Sequence, residues 1–160
     1  MKKFKILVLL ILCSLTLIIT GCTNKENNNE GETNTIASQL VTEFKKEIAK
    51  SKDIKEVADK ISESNIIVPT TIVTEITEDD YLAGFNEEIK GFNKAVSIAP
   101  MIGTIPFVAY IFEVDNPEEF ASTLKEQANL RWNICTEADE MKTSIVDNYV
   151  FFVMSPSNFE

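Results

Sequence analysis

From Ile6 to Ile19 the chain runs fourteen residues without a charge, directly after Lys2, Lys3 and Lys5. This feature limits what the rest of the chain can build, because it removes the N-terminus from any water-soluble core. As a helix the stretch spans roughly 21 Å at 1.5 Å per residue. A bilayer core takes about 30 Å, or ~20 residues, so the stretch is short for a permanent span. A basic start, a short apolar run and small residues at its end are the parts of an export signal. The basic end stays on the cytoplasmic side as the apolar part enters the membrane.

The run ends in Ile19-Thr20-Gly21-Cys22. This tetrapeptide resembles a bacterial lipobox: a branched aliphatic residue, a small residue, Gly or Ala, then Cys. The resemblance implies a diacylglycerol on the Cys22 thiol, cleavage between Gly21 and Cys22, and Cys22 as the lipid-bearing N-terminus. Gly21 and Thr20 are small enough for extended backbone to enter a protease site at the membrane surface. Two acyl chains, each worth ~0.8 kcal/mol per buried CH₂, hold a domain on a membrane where one would not. The alternative is an ordinary secretory signal or short anchor with Cys22 incidental. The expected location is the cell membrane, lipid-anchored and facing outside the cytoplasm.

Three segments follow from this reading. Residues 1–21 are the signal peptide, 22–35 the lipidated Cys and a polar tether, and 36–160 a single α+β domain. The tether, Thr23 to Thr35, reads TNKENNNEGETNT and has no apolar residue. Such a segment cannot bury surface and is expected to be a flexible linker. Cys13 leaves with the signal and Cys22 carries lipid, so Cys135 is the one thiol remaining and the domain must hold together by packing.

The formal charge is -10, with 25 acidic and 15 basic residues. Removing Lys2, Lys3 and Lys5 takes it from -10 to -13. Such a surface is repelled by anionic head groups, so the domain is expected to stand off the membrane. The acidity and the single Arg, Arg131, argue against a nucleic-acid partner. Histidine is absent, which excludes His triads, His general bases and His metal sites.

Ile36, Leu40, Val41, Phe44 and Ile48 recur at helical spacing, and Ile54, Val57, Ala58 and Ile61 give a second stripe behind an Asp53/Glu56 capping box. Thr70 to Ile76 is β-branched and reads as a strand. Thr77 to Asp80 reads as the cap of a helix carrying Tyr81, Leu82, Phe85, Ile89 and Phe92. Ala95 to Ala99 reads as a strand, residues 101–106 as a loop, and Phe107 to Val114 as a central strand covered on both sides. Asn116-Pro117-Glu118-Glu119 starts a helix whose stripe is Phe120, Leu124, Ala128, Trp132 and Cys135. Thr143–Val146 and Tyr149–Met154 flank Asp147-Asn148 as a hairpin. The expected fold is α+β: a small antiparallel sheet with helices on one face, ferredoxin-like in order, preceded by two N-terminal helices.

The domain also resembles a family of small clostridial lipoproteins of uncharacterised function. The match covers roughly residues 70–155 and rests on Tyr81–Phe92, Ala95-Val96-Ser97-Ile98-Ala99-Pro100-Met101, Phe107–Val114, Asp115-Asn116-Pro117, the Arg131 region and Tyr149–Met154. These are structural positions, not a catalytic motif. The pattern often continues past the last strand, whereas this chain stops at Glu160. A composition rich in Ile, Lys, Asn and Glu resembles that of AT-rich Gram-positive genomes.

Candidate chemistry is sparse. Asp79, Asp80, Glu87 and Glu88 could serve acid/base work if a cleft separated their pKa values, but a solvated helix face is the plainer reading. Glu137, Asp139 and Glu140 form an acidic loop without the residue pattern of a calcium site. Cys135 lacks a His partner and reads as a buried thiol ending a helix stripe. Arg131 could pair with a carboxylate ligand and Trp132 stack on one; the alternative is a core Trp and a local salt bridge. No nucleophile elbow or phosphate loop is present, and the sequence calls for no enzyme activity, cofactor or metal. The loop Pro100–Pro106 is apolar, which makes it either a contact patch or a buried fold-over. The reading is a membrane-anchored binding or interaction module of the cell envelope, with an envelope protein or small ligand as partner. The alternatives are an accessory structural envelope protein or a carboxylate-dependent hydrolase. A pocket lined by Trp132, Tyr81 or Met101 favours a binding module over a purely structural protein.

Overall fold

The computed structural model describes residues 34–159. The signal segment, the lipobox and Cys22 lie outside the described residues. Two helices come first, α1 (Ile36–Ile48) and α2 (Ile54–Ser62). Three strands follow, β1 (Thr71–Ile76), β2 (Lys94–Pro100) and β3 (Val108–Glu113). Helix α3 (Pro117–Gln127) leads into a hairpin of β4 (Glu140–Val146) and β5 (Tyr149–Ser155). The sheet order is β1-β2-β3-β5-β4, and every neighbouring pair is antiparallel.

Alternation along the central strands decides how the sheet is covered. Val96, Ile98, Ala109, Ile111, Phe151 and Val153 face one way, and α1 and α2 lie on them. The stripe Ile36, Leu40, Phe44 and Ile48 is buried there, and Phe44 stacks on Phe151 with centroids 5.0 Å apart. Burying each such side chain is worth ~1.5–3 kcal/mol. Thr35 caps α1 by accepting from Ser38 N. Asp53 caps α2 by accepting from Lys55 N and Glu56 N. The expected capping box is half formed, because Glu56 takes its hydrogen bond from the Ser51 hydroxyl instead.

Val108, Tyr110, Phe112, Val150, Phe152 and Met154 face the other way, against Phe120, Ala121 and Leu124 of α3 and Leu82, Phe85, Ile89 and Phe92. Helices therefore cover both faces, not one. β3 and β5 supply apolar side chains on both sides, so a cover on one side alone would leave half of them in water. The expectation of a doubly covered β3 holds, with Val108–Phe112 all buried.

Two expected helical segments differ. Residues 77–93 form turns and a short extended clip, not a helix. Gly84 has φ +94°, and a Cβ there would crowd the end of the Met154 side chain. The left-handed φ is what favours glycine at this close approach to β5. Phe85 bridges Ala128, with Asn86 N donating to Gln127 O at 2.8 Å and Asn129 N to Gly84 O at 2.8 Å. The apolar side chains at helical spacing are buried all the same, except Tyr81. The same bridge ends α3 at Gln127, because Ala128 turns extended to pair with Phe85. With no helix between β1 and β2, these strands pair directly, and the arrangement is a three-strand meander joined by a hairpin instead of the expected ferredoxin-like order. The Asp147-Asn148 turn forms as expected, Asp147 taking φ 55°.

Candidate functional site

One end of the sheet gathers four segments. They are the approach to β1 (68–70), the β2–β3 loop (101–106), the run into β4 (136–139) and the segment after β5 (156–159). Between them lies an open cleft of about 1000 Å³. Pro100 closes β2 and Pro106 precedes β3, and since neither proline offers an N–H donor the β2–β3 loop between them leaves the ladder. Met101 N donates to Thr70 O at 3.0 Å, tying that loop to the first segment. The Asn133 amide donates to Gly103 O, and the Thr136 hydroxyl to Thr104 O at 2.8 Å, tying it to the third. Asp139 accepts from Ser157 N at 2.7 Å, and Phe159 sits edge-on to buried Phe107 at 5.9 Å.

The result is a held, apolar surface. Val68 is 74% exposed, Met101 62%, Ile102 64%, and Ile134 on the adjoining loop 99%. Among the described residues no Lys or Arg lines the cleft. Its two acidic groups are engaged: Glu137 pairs with Arg131 Nε at 3.2 Å, and Asp139 holds Ser157 N. With no cation to receive an anion, the cleft suits an apolar, uncharged surface. In the Pro100–Pro106 loop Met101 and Ile102 stand exposed, while Ile105 turns inward onto the core.

The sequence-predicted candidates scatter. Arg131 is exposed and pairs with Glu137, and Trp132 packs half-buried on the α3 side of the sheet. Neither lines the cleft. Cys135 is exposed, not the buried thiol expected, because α3 stops eight residues earlier. Asp79, Asp80, Glu87 and Glu88 are all exposed. Asp80, Glu87 and Glu88 border a recess of about 370 Å³ beside Tyr81. The Thr77 N–H at 2.8 Å, then its hydroxyl, hold Asp80 below its ordinary pKa, and Lys90 at 2.9 Å does the same for Glu88. Both shifts favour carboxylate, so these two are not driven apart into acid and base. The third acidic group, Glu140, accepts from Ala37 N at 3.3 Å. Among the described residues no three potential ligands gather to hold a metal ion.

The opposite end of the sheet holds a polar recess of about 650 Å³ with Lys52, Asp53, Lys94 and Glu113 in its wall. Val68 and Phe159 were missed by sequence reasoning. Ile66-Ile67-Val68-Pro69, an apolar run stopped by proline outside any periodic element, was the available signal for Val68. Among the described residues no helix is long and apolar enough to cross a membrane. Compared with protein-family models, curated proteins and solved structures, the chain matches none.

Proposed function

We propose that this chain is a membrane-anchored extracytoplasmic lipoprotein and that its domain is a non-catalytic binding or interaction module of the cell envelope. The address rests on the basic start, the short apolar run and Ile19-Thr20-Gly21-Cys22. The binding role rests on one observation: an apolar cleft whose walls are tied together by hydrogen bonds while Val68, Met101 and Ile102 stay exposed. Exposed apolar side chains are ordinary when scattered and point to a contact surface when they converge.

Metabolic labelling with a fatty acid, followed by the mass of the mature N-terminus, tests the address. The expected result is a chain beginning at Cys22 with added acyl mass, and no label in Cys22→Ala. A chain that stays unlabelled, or is cut elsewhere without acyl mass, overturns it.

A further inference from the structure

We infer that the apolar end of the sheet docks on a lipid bilayer, with Val68, Met101, Ile102 and Ile134 entering the boundary between head groups and acyl chains. The inference rests on the lipid-anchor reading of Cys22 and names the partner of the cleft.

The first support is convergence. The four exposed side chains come from three separate segments, and the Asn133 and Thr136 bonds clamp the Ile134 loop against the Met101–Ile102 loop. The second is where the chain enters. Ile36 N donates to Ser157 O at 3.3 Å, and Ser157 lies between Pro156 and Asn158 of the cleft wall. Ala37 N, one residue on, reaches Glu140 at the start of β4, on the same end. The segment leading from Cys22 therefore meets the domain beside the cleft. Thirteen residues, Thr23 to Thr35, separate the two points, and a chain of that length spans at most about 45 Å. An anchor so close gives the apolar end an effective concentration on the order of mM at the surface, so a weak contact suffices.

Charge decides the kind of contact. The chain is acidic and, among the described residues, no cation lines the cleft, so attraction to anionic lipid does not drive docking. Glu137 and Asp139 have their own partners, and charges farther off are screened over about 8–10 Å. The contact is one of apolar burial, indifferent to salt and best on zwitterionic lipid. This revises the expectation that the domain stands clear of the membrane: net charge describes the whole surface, whereas docking depends on one end of it.

Cys135 supplies the probe, being exposed and next to Ile134. The full processed chain, labelled there with bimane, is reconstituted in phosphatidylcholine vesicles carrying nitroxide on the upper acyl chain. The expected result is strong quenching, unchanged by added salt, and reduced about tenfold or more in Met101→Asp/Ile102→Asp. An unquenched label, quenching that fades with salt, or quenching unaltered in the variant overturns the inference. A second copy seated in the cleft would double the particle mass and leave the label unquenched, which also overturns it. Intact mass separates the two readings: an acylated but unquenched protein sinks the docking alone, and a protein without acyl mass sinks the anchor. Both substituted side chains are exposed, and circular dichroism of the variant checks that it folds.

Discussion

At one end of the sheet Lys52 meets Asp147 at 2.9 Å and lies 5.3 Å from the centre of the Tyr149 ring, and Asn93 donates to Asp115 at 2.9 Å. At the other end Val68, Met101 and Ile102 stand exposed around a cleft. The same five strands finish at both ends, yet one end is completed by polar groups that answer each other. The other spends its polar bonds on holding loops in place and turns apolar side chains outward. A polar end in water is complete as it stands; an apolar one gains by being covered.

This contrast can be broken by substitution. The largest effect is expected beneath the cleft. Phe107 is buried against Phe159, and Phe107→Ala should cost ~3–5 kcal/mol in urea unfolding. At the polar end, Asp53→Ala removes the α2 cap and should cost ~1 kcal/mol by the same measurement.

Tyr110 adds a pH dependence from the middle of the sheet. Burial raises its phenol above the ordinary value of 10.0, and its neutral O–H donates to Ala83 O at 2.9 Å. The fold holds the neutral form, so this contribution is complete below pH 10 and is lost as pH climbs above it. Tyr110→Phe should cost about 1 kcal/mol at neutral pH and flatten the alkaline loss of stability. An alkaline slope unchanged in the variant would assign that loss to other groups. The smallest effects belong to the two surfaces. Lys52→Ala should cost under about 1 kcal/mol, because its pair with Asp147 is exposed and screened by salt. Met101→Asp should shift stability by no more than ~0.5 kcal/mol. A large loss there would mean that the cleft residues act as core and that the contrast between the ends is mistaken.

How much of this was legible depends on how local each signal is. Ile36, Leu40, Phe44 and Ile48 form a stripe, and a stripe needs only its own helix to be read. β3 was legible as doubly covered because an unbroken apolar run leaves no side for water. Leu82, Phe85, Ile89 and Phe92 carry the same spacing and are buried, yet no helix forms. Gly84 at φ +94°, pressed against Met154, and the bridge from Phe85 to Ala128 set that backbone, and both depend on residues more than forty positions away. Cys135 was misplaced for the same reason, since the bridge cuts α3 short. The cleft was legible only in its apolar loop. Val68 and Phe159 join that loop through the sheet, and exposure of Met101 and Ile102 is a property of the assembled end.

A photo-crosslinking residue placed in the full chain at position 102, and separately at position 147, tests the contrast most directly in intact envelopes. The account predicts abundant adducts from position 102 and few from position 147. Equal yields from both, or more from position 147, would contradict it.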